Sequence, residues 1–130
     1  MDHQVFLYIL VRNDLDSMSC GKAVAQGTHC ANQAVFEGRQ KKNVVPLIEQ
    51  WESETGKGFG TCIVLGVTEV EMYQTIEQVS NAGHHAAITH DPTYPLRDGL
   101  KTHLIPLDTC GYCFGMKSVL QPFLDTFKLY

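Results

Sequence analysis

A buried strand that runs directly into a two-sided helix constrains this fold more than any other part of the chain. Residues 8–33 open with an apolar run, which is typical of a strand covered on both faces. The chain then turns through the polar residues Arg12, Asn13 and Asp14 and enters a helix within residues 18–21. Small side chains recur along one side of that helix, at Ala23, Gly27, Cys30, Ala31 and Ala34. This spacing predicts a helix that lies close against a sheet.

A polar stripe occupies another side of the same helix, at Lys22, Gln26, His29 and Gln33. The N-terminus of a helix that follows a strand favours an anion, and Lys22 adds a full positive charge there. The stripe is therefore either part of a functional site or simply the solvated face of the helix. Spacing alone does not separate these two interpretations.

Alternating strand and helix patterns continue through the chain and predict an α/β fold. We expect strands over 4–11, 61–67, 85–89 and 103–107, and helices over 19–36, 44–54, from 68 to 82–83, and within 118–127. Helices between strands imply parallel pairs with helices on both faces, and a short last connection allows one antiparallel strand. The expectation is one domain over residues 1–130, a three-layer α/β/α architecture with a mixed four-stranded sheet.

Several motifs, taken in order, resemble the peptidyl-tRNA hydrolase 2 family of archaea and eukaryotes. They are Val11-Arg12-Asn13-Asp14-Leu15, then Gly21-Lys22-Ala23-Val24-Ala25-Gln26 with His29, then Asp91, Thr102 and the ending Lys128-Leu129-Tyr130. The resemblance spans almost the whole chain, as a divergent member. The family's Gly-Arg-Thr-like run after the aspartate is replaced by Pro92-Thr93-Tyr94-Pro95, and residues 108–115 look longer and richer in cysteine than the family's short Gly-Pro turn.

The resemblance implies a hydrolase that cleaves the ester between peptide and tRNA by direct attack of water, without a cofactor or metal. It implies catalytic roles for Lys22, Asp91 and Thr102, and substrate-binding roles for Arg12, Asn13, Gln26, His29 and Thr93. Asp91 alone would be interpreted as a turn cap before Pro92 and Thr102 as an ordinary strand threonine. We expect Lys22, Asp91 and Thr102 to converge at one end of the sheet. The resemblance also makes a homodimer plausible.

Charge and cysteine content leave two other functions open. The formal net charge of −4 argues against broad electrostatic binding of nucleic acid, although not against contact with one end of an RNA. An inactive or substrate-shifted tRNA- or RNA-binding module of the same fold is the first alternative, supported by the altered run from Pro92 to Pro95 together with the negative net charge. A redox or metal-responsive protein using Cys110 and Cys113 is the second, but a lone Cys-x-x-Cys lacks the second pair of a zinc site.

Reduced thiols are the expected state of the cysteines, because the chain looks like a cytoplasmic protein. Its five cysteines are an odd number, and no apolar run approaches the length of a membrane span. The N-terminal ten residues lack the basic segment of a secretory signal. We therefore expect no metal at Cys110 and Cys113 and no disulfide between them.

Overall fold

The computed structural model describes residues 3–130, and Met1 and Asp2 of the N-terminal segment lie outside the described residues. The elements follow in the order β1 (Val5–Arg12), α1 (Cys20–Gly38), α2 (Val45–Ser53), β2 (Thr61–Val67), α3 (Glu69–Asn81), β3 (His85–Asp98), β4 (Lys101–Met116), α4 (Lys117–Leu124) and β5 (Lys128–Leu129).

The strands form one mixed sheet in the order β3-β4-β1-β2-β5. Within the described residues, β1 and β2 pair in parallel, and the other neighbouring strands pair antiparallel. The mixed α/β architecture expected from the sequence is confirmed, but the sheet has five strands rather than four. The additional strand, β5, consists of two residues that pair with Leu65 and Gly66 of β2. A strand of this length is too short to produce a periodic pattern in the sequence.

Two apolar cores lie on opposite faces of the sheet and complete a three-layer structure. Alternate residues of β1 serve the two cores, because successive side chains of a strand point to opposite faces. Leu7 and Ile9 pack with α1 and α2, whereas Tyr8 and Leu10 pack with α3 and α4. This double burial explains why β1 is apolar almost throughout.

The helix boundaries agree with their sequence signals within two residues for the first three helices. Ser19 caps α1 by accepting a hydrogen bond from the backbone N–H of Lys22. Thr68 and Glu71 form the expected capping box at the start of α3, and Gly83 follows that helix with a φ of 90°. None of the helices that the structure describes is long and apolar enough to cross a membrane.

The hairpin of β3 and β4 is much longer than the sequence predicts. The strands expected over 85–89 and 103–107 extend to His85–Asp98 and Lys101–Met116. Pro92 and Pro95 made the first segment look like a loop. An edge strand tolerates proline, and the pairing shifts register between Asp91 and Tyr94.

The second half of β4 is a central strand of the sheet, whereas the sequence comparison treated residues 108–115 as an extended turn. Cys110 pairs with Val11, and the pairing with β1 continues to Met116 opposite Val5. The segment lies between β1 and β3 and is buried on both faces, which explains its small and apolar residues.

Candidate active site

The polar stripe of α1 packs against the β3–β4 hairpin and is not simply a solvated face. The Lys22 Nζ donates to the carbonyl oxygen of Pro95 at 2.8 Å. One turn later, the Gln26 Nε2 donates to Asp91 Oδ2 at 2.7 Å. Gln33 Nε2 donates at 3.0 Å to the carbonyl oxygen of Ile88, which lies nearer the start of β3. The stripe therefore fastens α1 to the hairpin on the side that carries Asp91.

Asp91 is almost fully buried, and three hydrogen bonds hold its carboxylate. Only 6% of the residue is exposed. Besides the bond from Gln26, the backbone N–H of Thr93 donates to Asp91 Oδ1 at 2.8 Å and the Thr93 hydroxyl donates to the same oxygen at 3.2 Å. Burial alone would raise the pKa of Asp91, but the bonds from Gln26 and Thr93, together with nearby His29, outweigh it and lower the pKa below 3.8. The carboxylate is therefore ionised at neutral pH.

Lys22 is half-buried and lies over an aromatic ring. Its Nζ is 5.2 Å from the ring centroid of Tyr94, which is itself completely buried. The Tyr94 hydroxyl is 2.9 Å from the hydroxyl oxygen of Ser17, just before α1. Because an ammonium group carries three donors, the bond to Pro95 leaves two for other partners.

A polar cavity of about 310 Å³ opens beside Asp91 at the outer edge of β3. Its lining residues come from α1 and from β3: His29, Gln33, Thr89, His90, Asp91, Pro92 and Thr93. His29 and Thr93 are exposed there. A water molecule or a small polar part of a substrate could reach the ionised carboxylate through this opening.

Thr109 is a site residue that sequence reasoning missed. It is fully buried, and its hydroxyl donates to Gln26 Oε1 at 2.7 Å. Gln26 is also buried, and its side-chain amide contacts both Asp91 and Thr109. The available signal was a polar residue at the start of the buried run 110–115, but that run was not identified as a strand.

Thr102 does not lie beside Asp91, although the two were expected to converge. Thr102 pairs with Arg97 near the tip of the hairpin, whereas Asp91 pairs with Leu107. Thr102 lies five positions before Leu107 in β4, and this separation corresponds to about 16 Å along an extended strand. Thr102 is also exposed. The error arose because the hairpin was expected to be short, which would have brought Thr102 to the end of the sheet.

Arg12 and Asn13 lie outside the cavity beside Asp91, although both were expected to bind substrate with the other residues. Arg12 is buried and forms ion pairs with Asp14 at 2.9 Å and Glu69 at 3.0 Å. Asn13 is exposed and lines a separate cavity of about 330 Å³ near the C-terminal residues. Arg12 therefore joins the end of β1 to α3, where its positive charge is already paired.

Cys110 and Cys113 face opposite sides of the sheet. Cys110 belongs to the core under α1 and α2, and Cys113 belongs to the core under α3 and α4. The five thiols are free, and no group of three or more metal-ligating side chains occurs within residues 3–130. Burial raises the pKa of the Cys113 thiol to about 12. The two cysteines of the Cys-x-x-Cys run thus cannot hold one ligand between them in this fold.

Comparison with known proteins gives one family match. A family model described as "Peptidyl-tRNA hydrolase PTH2" matches residues 5–130, nearly the whole chain. The match includes both α1 and the long hairpin, and therefore every residue of the cavity beside Asp91. No curated protein matches the chain.

Proposed function

Because the chain belongs to the peptidyl-tRNA hydrolase PTH2 family, we propose that it hydrolyses the ester bond between the peptide and the tRNA of peptidyl-tRNA. The reaction requires an attacking water, stabilisation of the oxyanion that forms on the carbonyl, and a proton for the departing ribose hydroxyl. The proposal uses direct attack of water, with no covalent enzyme intermediate and no cofactor.

The observation that carries this proposal is the buried, ionised carboxylate of Asp91 at the edge of a polar cavity. A carboxylate that is ionised accepts a hydrogen bond from water and fixes the direction from which the water attacks. Since hydrogen bonds lower the pKa of Asp91, its basicity is weak at neutral pH. Its proposed role is therefore to orient and polarise the attacking water more than to remove its proton.

Lys22 supplies the positive charge in this mechanism. Its ammonium is held by Pro95, four residues beyond Asp91 in the same hairpin segment. The free donors of Lys22 can bind the developing oxyanion or a phosphate of the tRNA end, and either contact strengthens as negative charge accumulates. Half-burial protects the charge from screening by salt.

His29 and Thr93 are the proposed substrate-binding residues of the cavity. Both are exposed at its wall, and both lie close enough to Asp91 to affect its ionisation. The imidazole of His29 lies on the polar stripe of α1 and has no hydrogen-bond partner among residues 3–130. It can therefore donate to or accept from a ribose hydroxyl.

A tRNA- or RNA-binding module without hydrolytic activity is the second candidate. The run Pro92-Thr93-Tyr94-Pro95, which replaces the family's usual residues directly after Asp91, favours it, and the net charge of −4 restricts the contact to one end of the RNA. In that case the cavity would hold the end of the RNA but would not activate water.

Single-turnover cleavage of peptidyl-tRNA by purified protein tests the proposal. We expect release of free tRNA by the unmodified chain. Thr102→Ala tests the role that the resemblance gives to Thr102, and we expect it to cleave as well, because Thr102 pairs with Arg97 whereas Asp91 pairs with Leu107. Binding of peptidyl-tRNA without cleavage would favour the second candidate. Absence of both binding and cleavage would reject both functions.

We also propose that the chain acts in the cytoplasm, where peptidyl-tRNA is produced, and that it forms a homodimer. Both statements rest on the family membership alone. Sedimentation of the purified protein across a concentration series tests the second, and a monomer throughout the series would reject it.

A further inference from the structure

Three polar side chains form a continuous buried hydrogen-bonded chain between β4, α1 and β3. Thr109 is completely buried, Gln26 is 2% exposed and Asp91 is 6% exposed. Thr109 Oγ1 donates to Gln26 Oε1 at 2.7 Å, and Gln26 Nε2 donates to Asp91 Oδ2 at 2.7 Å. Buried polar groups require partners, and each member of this chain has one.

The Asp91 carboxylate, which only accepts hydrogen bonds, determines which end of the Gln26 amide faces it, and the Thr109 hydroxyl holds the other end in place. The Thr109 hydroxyl donates to the oxygen of the amide and leaves its NH₂ group pointing at the carboxylate. If the amide were reversed, its oxygen would face Asp91, and two acceptors would meet in a buried place. The sulfur of Cys110, 3.6 Å from the Thr109 hydroxyl oxygen, is a much weaker alternative acceptor.

The same arrangement limits how Asp91 can bind water. An ionised carboxylate offers about four acceptor sites. Gln26 uses one of them, and the backbone and hydroxyl of Thr93 use two on the other oxygen. About one acceptor site thus remains for a water from the cavity that Asp91 lines.

We propose that Thr109 is a positioning residue, which holds the Gln26 amide in the place from which it donates to Asp91 and thereby fixes the direction of the one acceptor site that Asp91 presents to the attacking water. Thr109 touches neither the cavity nor the substrate and acts only through Gln26. The proposal rests on the hydrolytic function proposed above for Asp91.

The matched pair Thr109→Val and Thr109→Ser tests this role. Valine has nearly the shape of threonine but no hydroxyl, whereas serine keeps the donor. We expect Thr109→Val to lower kcat about tenfold, the value of one hydrogen bond of typical strength, with KM nearly unchanged. Thr109→Ser should restore kcat to within about twofold of the unmodified chain, because the hydrogen bond remains available.

A titration of the Asp91 carboxyl carbon by NMR gives a second readout that does not depend on catalysis. Loss of the fixed amide should raise the pKa of Asp91 in Thr109→Val, because one of the hydrogen bonds that lower it is weakened. Thr109→Ser should titrate as the unmodified chain does. If the unmodified chain cleaves no peptidyl-tRNA, the hydrolase proposal fails, and this titration still decides whether Thr109 positions Asp91.

A double-mutant cycle decides whether Thr109 acts through Gln26. In a Gln26→Leu background, Thr109→Val should change neither the titration of Asp91 nor kcat any further. Additive effects would overturn the proposal, as would an unchanged Asp91 titration in a folded Thr109→Val protein. If Thr109→Val does not fold, Thr109→Ala removes the same hydroxyl with less steric conflict, and the same outcomes apply to it.

Discussion

At the residue scale, the proposed chemistry depends on two charges of opposite sign held by groups of the β3–β4 hairpin. Asp91 is fixed by the backbone and hydroxyl of Thr93, and Lys22 is fixed by the carbonyl of Pro95. Both anchors lie in the segment that differs from the family's usual Gly-Arg-Thr-like run. Their hydrogen bonds come largely from the backbone, and backbone groups are the same for any residue type. The altered segment can therefore still hold both charges.

Substitution of Lys22 is expected to reduce catalysis far more than stability. Lys22→Ala should lower single-turnover cleavage about a hundredfold or more, because a contact with developing charge can contribute about 3–4 kcal/mol. The loss of folding free energy should be near 1 kcal/mol, the value of one partly exposed hydrogen bond. Lys22→Arg keeps the charge but changes its shape and reach, so it should remain substantially impaired. Thermal melts beside cleavage rates measure both effects, and an unimpaired Lys22→Ala protein would remove Lys22 from the mechanism.

Asp91→Asn should abolish most activity and should remove the acid limb of the pH profile. Catalysis needs the ionised carboxylate, and the pKa of Asp91 lies below its ordinary value of 3.8. In the unmodified chain kcat/KM should therefore not fall through titration of Asp91 as the pH decreases from 7 to about 5, and should fall only once the pH approaches and passes below 3.8. Rates measured against pH, with circular dichroism to exclude unfolding, test this. A sharp loss between pH 6 and 5 in a folded protein would contradict the role of Asp91.

At the scale of secondary-structure elements, β4 contributes most to the position of the site. Its second half lies between β1 and β3 and carries Thr109 to Gln26, while its first half supports the strand that bears Asp91. The close packing of α3 on this strand depends on glycine. A Cβ at Gly111 would lie 2.9 Å from Ile76 Cγ1 and 3.1 Å from the carbonyl oxygen of Ala87.

Gly111→Ala should therefore destabilise the protein by about 1–3 kcal/mol, the usual cost of overpacking a core. Gly115→Ala is the matched control in the same strand. Its Cβ would meet Leu120 at 3.7 Å, an ordinary van der Waals distance. Chemical denaturation of both variants measures the difference, and equal stabilities would show that α3 can move away from β4 without cost.

At the scale of the whole molecule, a buried histidine connects the start of β3 to α1 and to the loop that follows it. His85 Nε2 is 2.9 Å from the carbonyl oxygen of Ala34, and its Nδ1 is 3.1 Å from Lys41 Nζ. A neutral ring that donates from Nε2 and accepts at Nδ1 satisfies both partners. Burial lowers the pKa of His85, and the Lys41 ammonium adds to that effect, while Ala34 and Glu37 partly oppose it.

The free energy of unfolding should accordingly decrease as the pH falls below about 6.5, the ordinary pKa of histidine. The sign follows because the folded state, with the lower pKa, binds fewer protons than the unfolded state in that range. Carboxylates with lowered pKa values, such as Asp91 and Asp108, lose their contribution only at more acidic pH. Urea denaturation at pH 7.5 and 5.5 tests this, with His85→Gln as the comparison. An equal pH dependence in both proteins would assign the effect to other groups.

The sequence by itself determined the features that depend on neighbouring residues. A continuously apolar strand, a helix with a small-residue side and a Thr-to-Glu capping box are local patterns, and the structure has β1, α1 and α3 where those patterns occur. The selection of Lys22 and Asp91 as candidate catalytic residues came from the family's motifs. These motifs did not show what holds either residue.

Only the tertiary structure decided which side chains meet at the site. Thr109 and Gln26 are 83 residues apart, and Gln26 and Asp91 are 65 residues apart. Their contacts depend on the register of β3 against β4, including a shift between Thr89 and His90 that skips one residue of β4, Thr109. The same long hairpin places Thr102 far from Asp91. A single step in strand register reverses the face to which a side chain points, so no local pattern of residues could have distinguished Thr109 from Thr102.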